Sequence, residues 1–181
     1  MDICFLGVGQ IDKYGNLNTT SIGDYYQPDL RLPGSGGAAD FTSYSKRTVL
    51  TMRGGEFVEK LDYFTSPGYL DGGDARERTG LFPKDSGPSR LITKKGIFEF
   101  DPVTKEMYLA EIHPRMTVEE IKKDVPWDLK ISENLSQTKK PSDEEIDFIR
   151  KFAPAAAMGR ALAIEAAFAN LAKELEERGK T

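Results

Sequence analysis

Apolar residues in Ile3–Val8 run almost unbroken between polar Asp2 and Gly9, the pattern of a strand buried on both faces. Tyr14-Gly15-Asn16 is a turn signal, after which Leu17–Thr20 reads as a short return strand. Arg47–Met52 is rich in β-formers, and Phe57–Phe64 carries a similar pattern. Farther on, Arg90–Thr93, Gly96–Phe100 and Met107–Glu111 are separated by turn-forming Lys94-Lys95-Gly96 and Asp101–Lys105, which predicts a three-stranded meander. Helical spacing is confined to shorter pieces. Ala38–Tyr44 suits one short helix. Thr117-Val118-Glu119-Glu120 is a capping box that opens a second, through about Lys123. Ser142-Asp143-Glu144-Glu145 is another such box, placing Ile146, Ile149 and Phe152 on one helix face until Pro154 stops it.

From Ala155 to Arg178 the chain becomes alanine-rich, with Ala161, Ile164, Phe168, Leu171 and Leu175 at three- and four-residue steps and Gly179 as a natural cap. Its apolar stripe needs a surface, on the same domain or on another chain; a coiled coil is disfavoured because alanine makes a weak seam. The expected organisation is a domain over residues 1–153 and an amphipathic helix over 154–181. Continuous apolar strands mixed with capped helices indicate an α/β class, three-layer α/β/α with a mostly parallel sheet and Ile3–Val8 at its centre. Between Thr65 and Pro88 glycine and proline are too frequent for regular structure, so a long loop is expected there, of the kind that is usually functional or partner-bound.

Composition narrows the function classes. The chain has 181 residues, 39% hydrophobic and 30% charged, with a formal net charge of −4, as in a folded globular protein. An acidic balance argues against nucleic acid as a main partner. No apolar run approaches the ~20 residues of a membrane span, and Met1-Asp2 opens no secretory signal pattern, so a cytoplasmic location is expected. The single cysteine, Cys4, is expected to be a small buried core residue. The single histidine, His113, has no sequence partner for a triad, and one His with one Cys excludes a Cys/His zinc site, so no metal is expected.

The sharpest chemical signal is Leu32-Pro33-Gly34-Ser35-Gly36-Gly37-Ala38-Ala39-Asp40, with three glycines in four residues leading directly into a helix. Glycines remove Cβ atoms from a turn, so backbone N–H groups can approach an oxygen carrying charge, aided by the positive end of the helix that follows. The chemistry is anion or oxyanion holding. Gly34-x-Gly36-x-x-Ala39 also satisfies a degenerate dinucleotide fingerprint. Pro28 and Pro33 interrupt the strand that such a motif requires, which disfavours a nucleotide cofactor.

The order strand, Gln10-Ile11-Asp12-x-x-Gly15-Asn16-x-Asn18, then Gly34-Ser35-Gly36-Gly37-Ala38, with Thr65-Ser66-Pro67-Gly68-Tyr69-Leu70-Asp71-Gly72 downstream, resembles the class I coenzyme A transferases from about Ile3 to about Phe152. The nearest likeness is to glutaconate-type B subunits. The resemblance implies a CoA-transferase-like fold and a subunit that moves CoA between acyl-CoA thioesters and (di)carboxylic acids, with coenzyme A as substrate and an A-type subunit as partner in a hetero-oligomer. It marks Gly36 and Gly37 as backbone donors of an oxyanion hole. It marks Gly34, Ser35 and Ala38 with Gln10, Asn16 and Asn18 as a surface for CoA or substrate; those amides could equally satisfy turn backbone.

In this family a glutamate attacks the thioester and is converted first to an acyl anhydride, then to a glutamyl-CoA thioester. That glutamate lies in a Glu-Ser-Gly-like turn of an N-terminal segment, and no such turn occurs here. The nucleophile is therefore expected from elsewhere, and the chain alone is expected to be inactive. Glu56, Glu77 and Glu111 are the interior substitutes, each more simply read as a surface carboxylate. Arg76, Arg78, Lys84 and Arg90 flank the long loop and could meet CoA phosphates or form a solvated face. Relatives with decarboxylase and ring-opening hydrolase activity, or a non-catalytic CoA-ester-binding or scaffold module, are the alternatives.

Overall fold

The computed structural model describes residues 1–158. Along the chain lie β1 (Ile3–Gly7), β2 (Gln10–Ile11), β3 (Leu17–Asn18), β4 (Ser21–Gly23), β5 (Pro28–Arg31), α1 (Ala38–Tyr44), β6 (Arg47–Met52) and β7 (Glu56–Phe57). They are followed by α2 (Ala75–Arg78), β8 (Gly87–Thr93), β9 (Gly96–Phe100), β10 (Met107–Ile112), α3 (Val118–Lys122), β11 (Lys130–Gln137) and α4 (Asp143–Met158). The chain divides into two compact units, the first ending at Thr138 and the second starting at Lys139.

The first unit is built on a mixed sheet of order β1-β6-β8-β9-β10-β11. Pairing is parallel at β1/β6, β6/β8 and β10/β11, and antiparallel through the β8-β9-β10 meander. In register across all six strands stand Leu6, Leu50, Leu91, Phe98, Leu109 and Ile131. The middle four are fully buried, and α3 adds Ile121 to the same core. Burial of each such side chain contributes about 1.5–3 kcal/mol, so this row fixes the register. The neighbouring row reads Phe5, Val49, Arg90, Glu99, Tyr108 and Lys130. It turns polar beyond Val49, where Arg90 pairs with Glu99 at 2.7 Å and the Tyr108 hydroxyl donates to Glu99 at 3.1 Å. One sheet face therefore carries the core, and the other is mixed, with Arg90, Glu99 and Lys130 on the same face as Phe5, Val49, Ile92 and Ile97.

The expected central position of Ile3–Val8 is corrected: β1 forms an edge of this sheet among the described residues. Cys4 is buried as expected, but Phe5 on the opposite face is 66% exposed. An apolar run reports burial available to a strand, and here only one face of β1 uses it. Three short strands, β3-β2-β7, form a second sheet, and β4 pairs with β5 as a hairpin. Of the strand expected over Phe57–Phe64 only Phe57 is in a strand, as the second residue of β7. Pro28 is tolerated because it is the first residue of β5 in a two-stranded hairpin. The Thr117 capping box is closed on both sides.

In the second unit, Ser142 and Glu145 exchange the bonds of the other capping box, at 2.8 and 3.2 Å. Pro154 does not stop this helix, since α4 continues to Met158. The alanines on either side of Pro154 favour helix strongly enough to outweigh its missing donor. The stripe Ala161–Leu175 and the Gly179 cap lie outside the described residues. Among the described residues no helix is long and apolar enough to cross a membrane.

Candidate functional site

The second sheet exists to bring amides together. Gln10 on β2 is opposite Asn18 on β3 and beside Glu56 on β7. Its Nε2 donates to Glu56 and to Asp62, both at 2.8 Å, while its Oε1 accepts from Asn18 Nδ2 at 2.7 Å and Asp62 N at 3.2 Å. Asn18 is fully buried; it also donates to Ser21 O at 2.6 Å and accepts from the N–H groups of Thr20 and Ser21. Asn16 donates to Asp12 and to Leu70 O, and its Oδ1 accepts from Gly68 N at 2.8 Å and Leu70 N at 3.1 Å. Each of these three amides thus makes the four hydrogen bonds available to it. They tie the 65–72 segment and the β4–β5 hairpin to β2 and β3. Gly68 permits the close approach, because a Cβ there would strike the backbone of Gly15 and Tyr14.

Thr19, next to Asn18, carries this order into the glycine loop. Its carbonyl accepts from Gly34 N at 2.8 Å and its hydroxyl donates to Gly34 O at 3.0 Å. Thr65 holds Thr19 in turn, its Oγ1 accepting from Thr19 N at 3.0 Å. Gly34 and Gly36 have φ of 90° and 49°, the left-handed region open to glycine. Ala38 N donates to Ser35 O at 2.8 Å, closing the turn into α1, with Gly37 at the N-cap. Among the described residues, the N–H groups of Ser35, Gly36 and Gly37 make no hydrogen bond to the protein. Gly36 and Gly37 are exposed and Ser35 half-buried. No side-chain N-cap occupies the start of the seven-residue α1.

The network connects Gln10 and Asn18 directly, and Gly34 through Thr19. Asn16 is engaged separately with the 68–70 turn. Sequence reasoning did not single out Asp12, Thr19 or Asp62. Asp12 accepts from Tyr14 N, Asn16 N and Asn16 Nδ2. Burial nevertheless raises its pKa above the ordinary carboxylate range, against those hydrogen bonds and with a contribution from the charge of Asp71. Both carboxylates line a surface cavity of about 560 Å³ with Phe64 and Leu70. For Asp62, the Gly23 N–H bond and the Gln10 amide lower the pKa. The only sequence signal for Asp12 was its place in the Asp-x-x-Gly-Asn turn.

Of the proposed substitutes, Glu56 is exposed and bonded to Gln10, Glu77 is exposed on α2, and Glu111 lies on β10. Among the four cations, Arg78 pairs with Asp74 at 3.2 Å and Arg90 with Glu99, whereas Arg76 is buried. His113 bridges Thr138 Oγ1 and Thr93 O, both at 3.0 Å. A carbonyl can only accept, so Nε2 donates to Thr93 O. Among the described residues no group of three or more His, Cys, Asp or Glu is placed to hold a metal ion.

The chain is similar to known proteins over most of its length. The B subunit of glutaconate CoA-transferase from Acidaminococcus fermentans is 44% identical over 151 residues, 82% of this chain and 56% of that protein. The B subunit of 3-oxoadipate CoA-transferase from Pseudomonas knackmussii is 36% identical over 152 residues, 83% of this chain and 58% of the relative. The chain therefore spans little more than half the length of the curated relatives it matches. The crystal structure of the Acidaminococcus fermentans glutaconate enzyme superposes with a TM-score of 0.74 at 43% identity, over 82% of this chain and 56% of the matched one. Residues 1–124, which contain the amide network and the whole glycine loop, match the Coenzyme A transferase family model, and the chain belongs to that family.

Proposed function

We propose that this chain is the B-type part of a CoA transferase that moves CoA between acyl-CoA thioesters and (di)carboxylic acids, together with an A-type subunit. The observation that carries this reading is the trio of unengaged N–H groups at Ser35, Gly36 and Gly37, in a loop held from beneath by a buried amide network. A carboxylate supplied from outside the described residues attacks the thioester carbon. The carbonyl electrons move onto oxygen, and the amides of Gly36 and Gly37 meet the resulting oxyanion. Collapse expels the CoA thiolate and leaves a mixed anhydride. That thiolate then attacks the enzyme carboxyl carbon, releasing the first acid and forming the glutamyl-CoA thioester, which the second acid resolves in the reverse sense.

Within this proposal Gln10, Asn16 and Asn18 act by holding loops, since substrate contact would require breaking their existing bonds. Gly34 and Ala38 likewise shape the turn, because their N–H groups are spent on Thr19 and Ser35. An oxyanion donor is worth about 2.7–4 kcal/mol, or roughly a hundred- to a thousand-fold in rate.

The test is a CoA-exchange assay on the pure chain and then with candidate partner chains, followed by borohydride trapping of any glutamyl-CoA thioester and peptide mapping. No exchange is expected from the chain alone, and activity with label on the added chain is expected once the site is complete. Label on Glu56 of the solitary chain would overturn the need for an external nucleophile.

A further inference from the structure

Arg76 is the buried charge that the proposed chemistry leaves unused. It is 3% exposed, and among the described residues no carboxylate pairs with it. Its Nη2 donates to Thr42 O at 2.6 Å and Ser43 O at 3.3 Å, its Nη1 to Gly68 O at 2.8 Å, and its Nε to Ser86 Oγ at 3.3 Å. The Phe82 ring stacks on the guanidinium with its centroid 3.9 Å away. Desolvation lowers the Arg76 pKa to about 10, still far enough above neutrality to keep the group charged. A buried cation without a counter-ion is costly unless its donors are met, so its acceptors indicate its purpose.

Two of those acceptors are carbonyls of the last turn of α1, a helix with no basic residue of its own at that end. Cations stabilise helix C-termini by meeting orphan carbonyls and the negative end of the dipole. A seven-residue helix is marginal by itself and spans only about 10 Å at 1.5 Å per residue, so anchoring one end orients the other. That other end is Gly37. The third acceptor, Gly68, belongs to the turn whose N–H groups are held by Asn16. Asn16, Gly68, Arg76 and α1 thus form one continuous connection to the glycine loop, opposite the Thr19 tether at Gly34.

We infer that Arg76 is a positioning residue for the glycine loop, capping α1 from outside and aiming the Gly36 and Gly37 amides. This rests on the oxyanion role proposed above, and its test separates the two. Amide hydrogen exchange would be followed in the full chain carrying Arg76→Gln, Arg76→Lys, Phe82→Leu or Ser86→Ala. Acyl-CoA turnover of the assembled enzyme carrying Gly36→Val or Arg76→Gln would be measured in parallel.

A hydrogen bond to a charged group is worth about 1.5–3 kcal/mol, so Arg76→Gln should speed exchange over residues 41–45 by about tenfold or more, with Leu50 and Leu91 unchanged. Arg76→Lys should recover part of the protection, and the two milder variants should show the same local pattern at lower amplitude, which covers the case in which Arg76→Gln fails to fold. Acyl-CoA turnover of the assembled enzyme carrying Arg76→Gln should fall in step, with Arg76→Lys recovering part of it. Unchanged protection in α1, or equal loss in α1 and the core strands, would overturn the positioning role. An assembled enzyme in which Gly36→Val leaves acyl-CoA turnover unchanged, with local protection still dependent on Arg76, would overturn the oxyanion reading instead.

Discussion

Gly36 shows how much of the candidate site is backbone. A Cβ built at Gly36 meets nothing within 4 Å, yet its φ is 49°, so a substitution there acts through backbone strain and not through a clash. Left-handed geometry costs an ordinary residue about 1–2 kcal/mol and is worse for a β-branched one. Gly36→Val should therefore leave a cooperative melting transition, lowered by a few degrees, while acyl-CoA turnover of the assembled enzyme falls about a hundred- to a thousand-fold. Thermal unfolding and steady-state kinetics on the same preparation check this, and loss of the melting transition would make Gly36 purely structural. The glycine run was legible because only one residue type offers this freedom. The saturation of Gln10, Asn16 and Asn18 was not, because an amide in a sequence does not reveal which partners folding will bring to it.

At the scale of elements, local rules succeeded where they were strongest. The bounds expected for Ala38–Tyr44, Arg47–Met52 and Gly96–Phe100 are those of α1, β6 and β9, and both capping boxes formed. They failed at β11, whose sequence Lys130–Gln137 is mostly polar and is held as a strand by parallel pairing with β10. That pairing is supported by Glu106, which lies between Lys130 at 2.6 Å and Lys13 at 2.9 Å. The hydrogen bonds from Lys130 and then Lys13 lower the Glu106 pKa. Its stabilising contribution is therefore present above the ordinary glutamate pKa and is lost as pH falls through the lowered folded value. Glu106→Gln should flatten that part of the acid limb in urea denaturation measured as a function of pH, and leave the slope near neutrality unchanged. High salt should reduce the difference, since both lysines are substantially exposed. An acid limb identical in variant and wild type would refute this role.

At the scale of the molecule, β1 leaves a sheet edge unpaired among the described residues, with Phe5 projecting beside it. Unpaired strand edges and exposed aromatic side chains recruit partners. The isolated chain is accordingly expected to associate, with light scattering giving a mass above that of one 20.1 kDa chain. Phe5→Ser should shift the population toward monomer while leaving the fold intact by circular dichroism, because Phe5 contributes little to the core. A monodisperse wild-type monomer across the accessible concentration range would count against this.

The sequence by itself determined the α/β class, the meander, two capping boxes and the glycine run that leads into α1. All of these are encoded by spacing or by residue types with narrow conformational preferences. The tertiary structure alone decided that β1 lies at an edge, that polar Lys130–Gln137 becomes a strand, and that α4 runs through Pro154. It alone also decided that Arg76, read from sequence as a cation flanking a long loop, is buried against the last turn of α1. The division has a physical cause. Propensity, capping and hydrophobic period act over a few residues, whereas edge position and the satisfaction of a buried charge depend on groups such as Thr42, Gly68 and Ser86, which only the folded chain brings around one guanidinium.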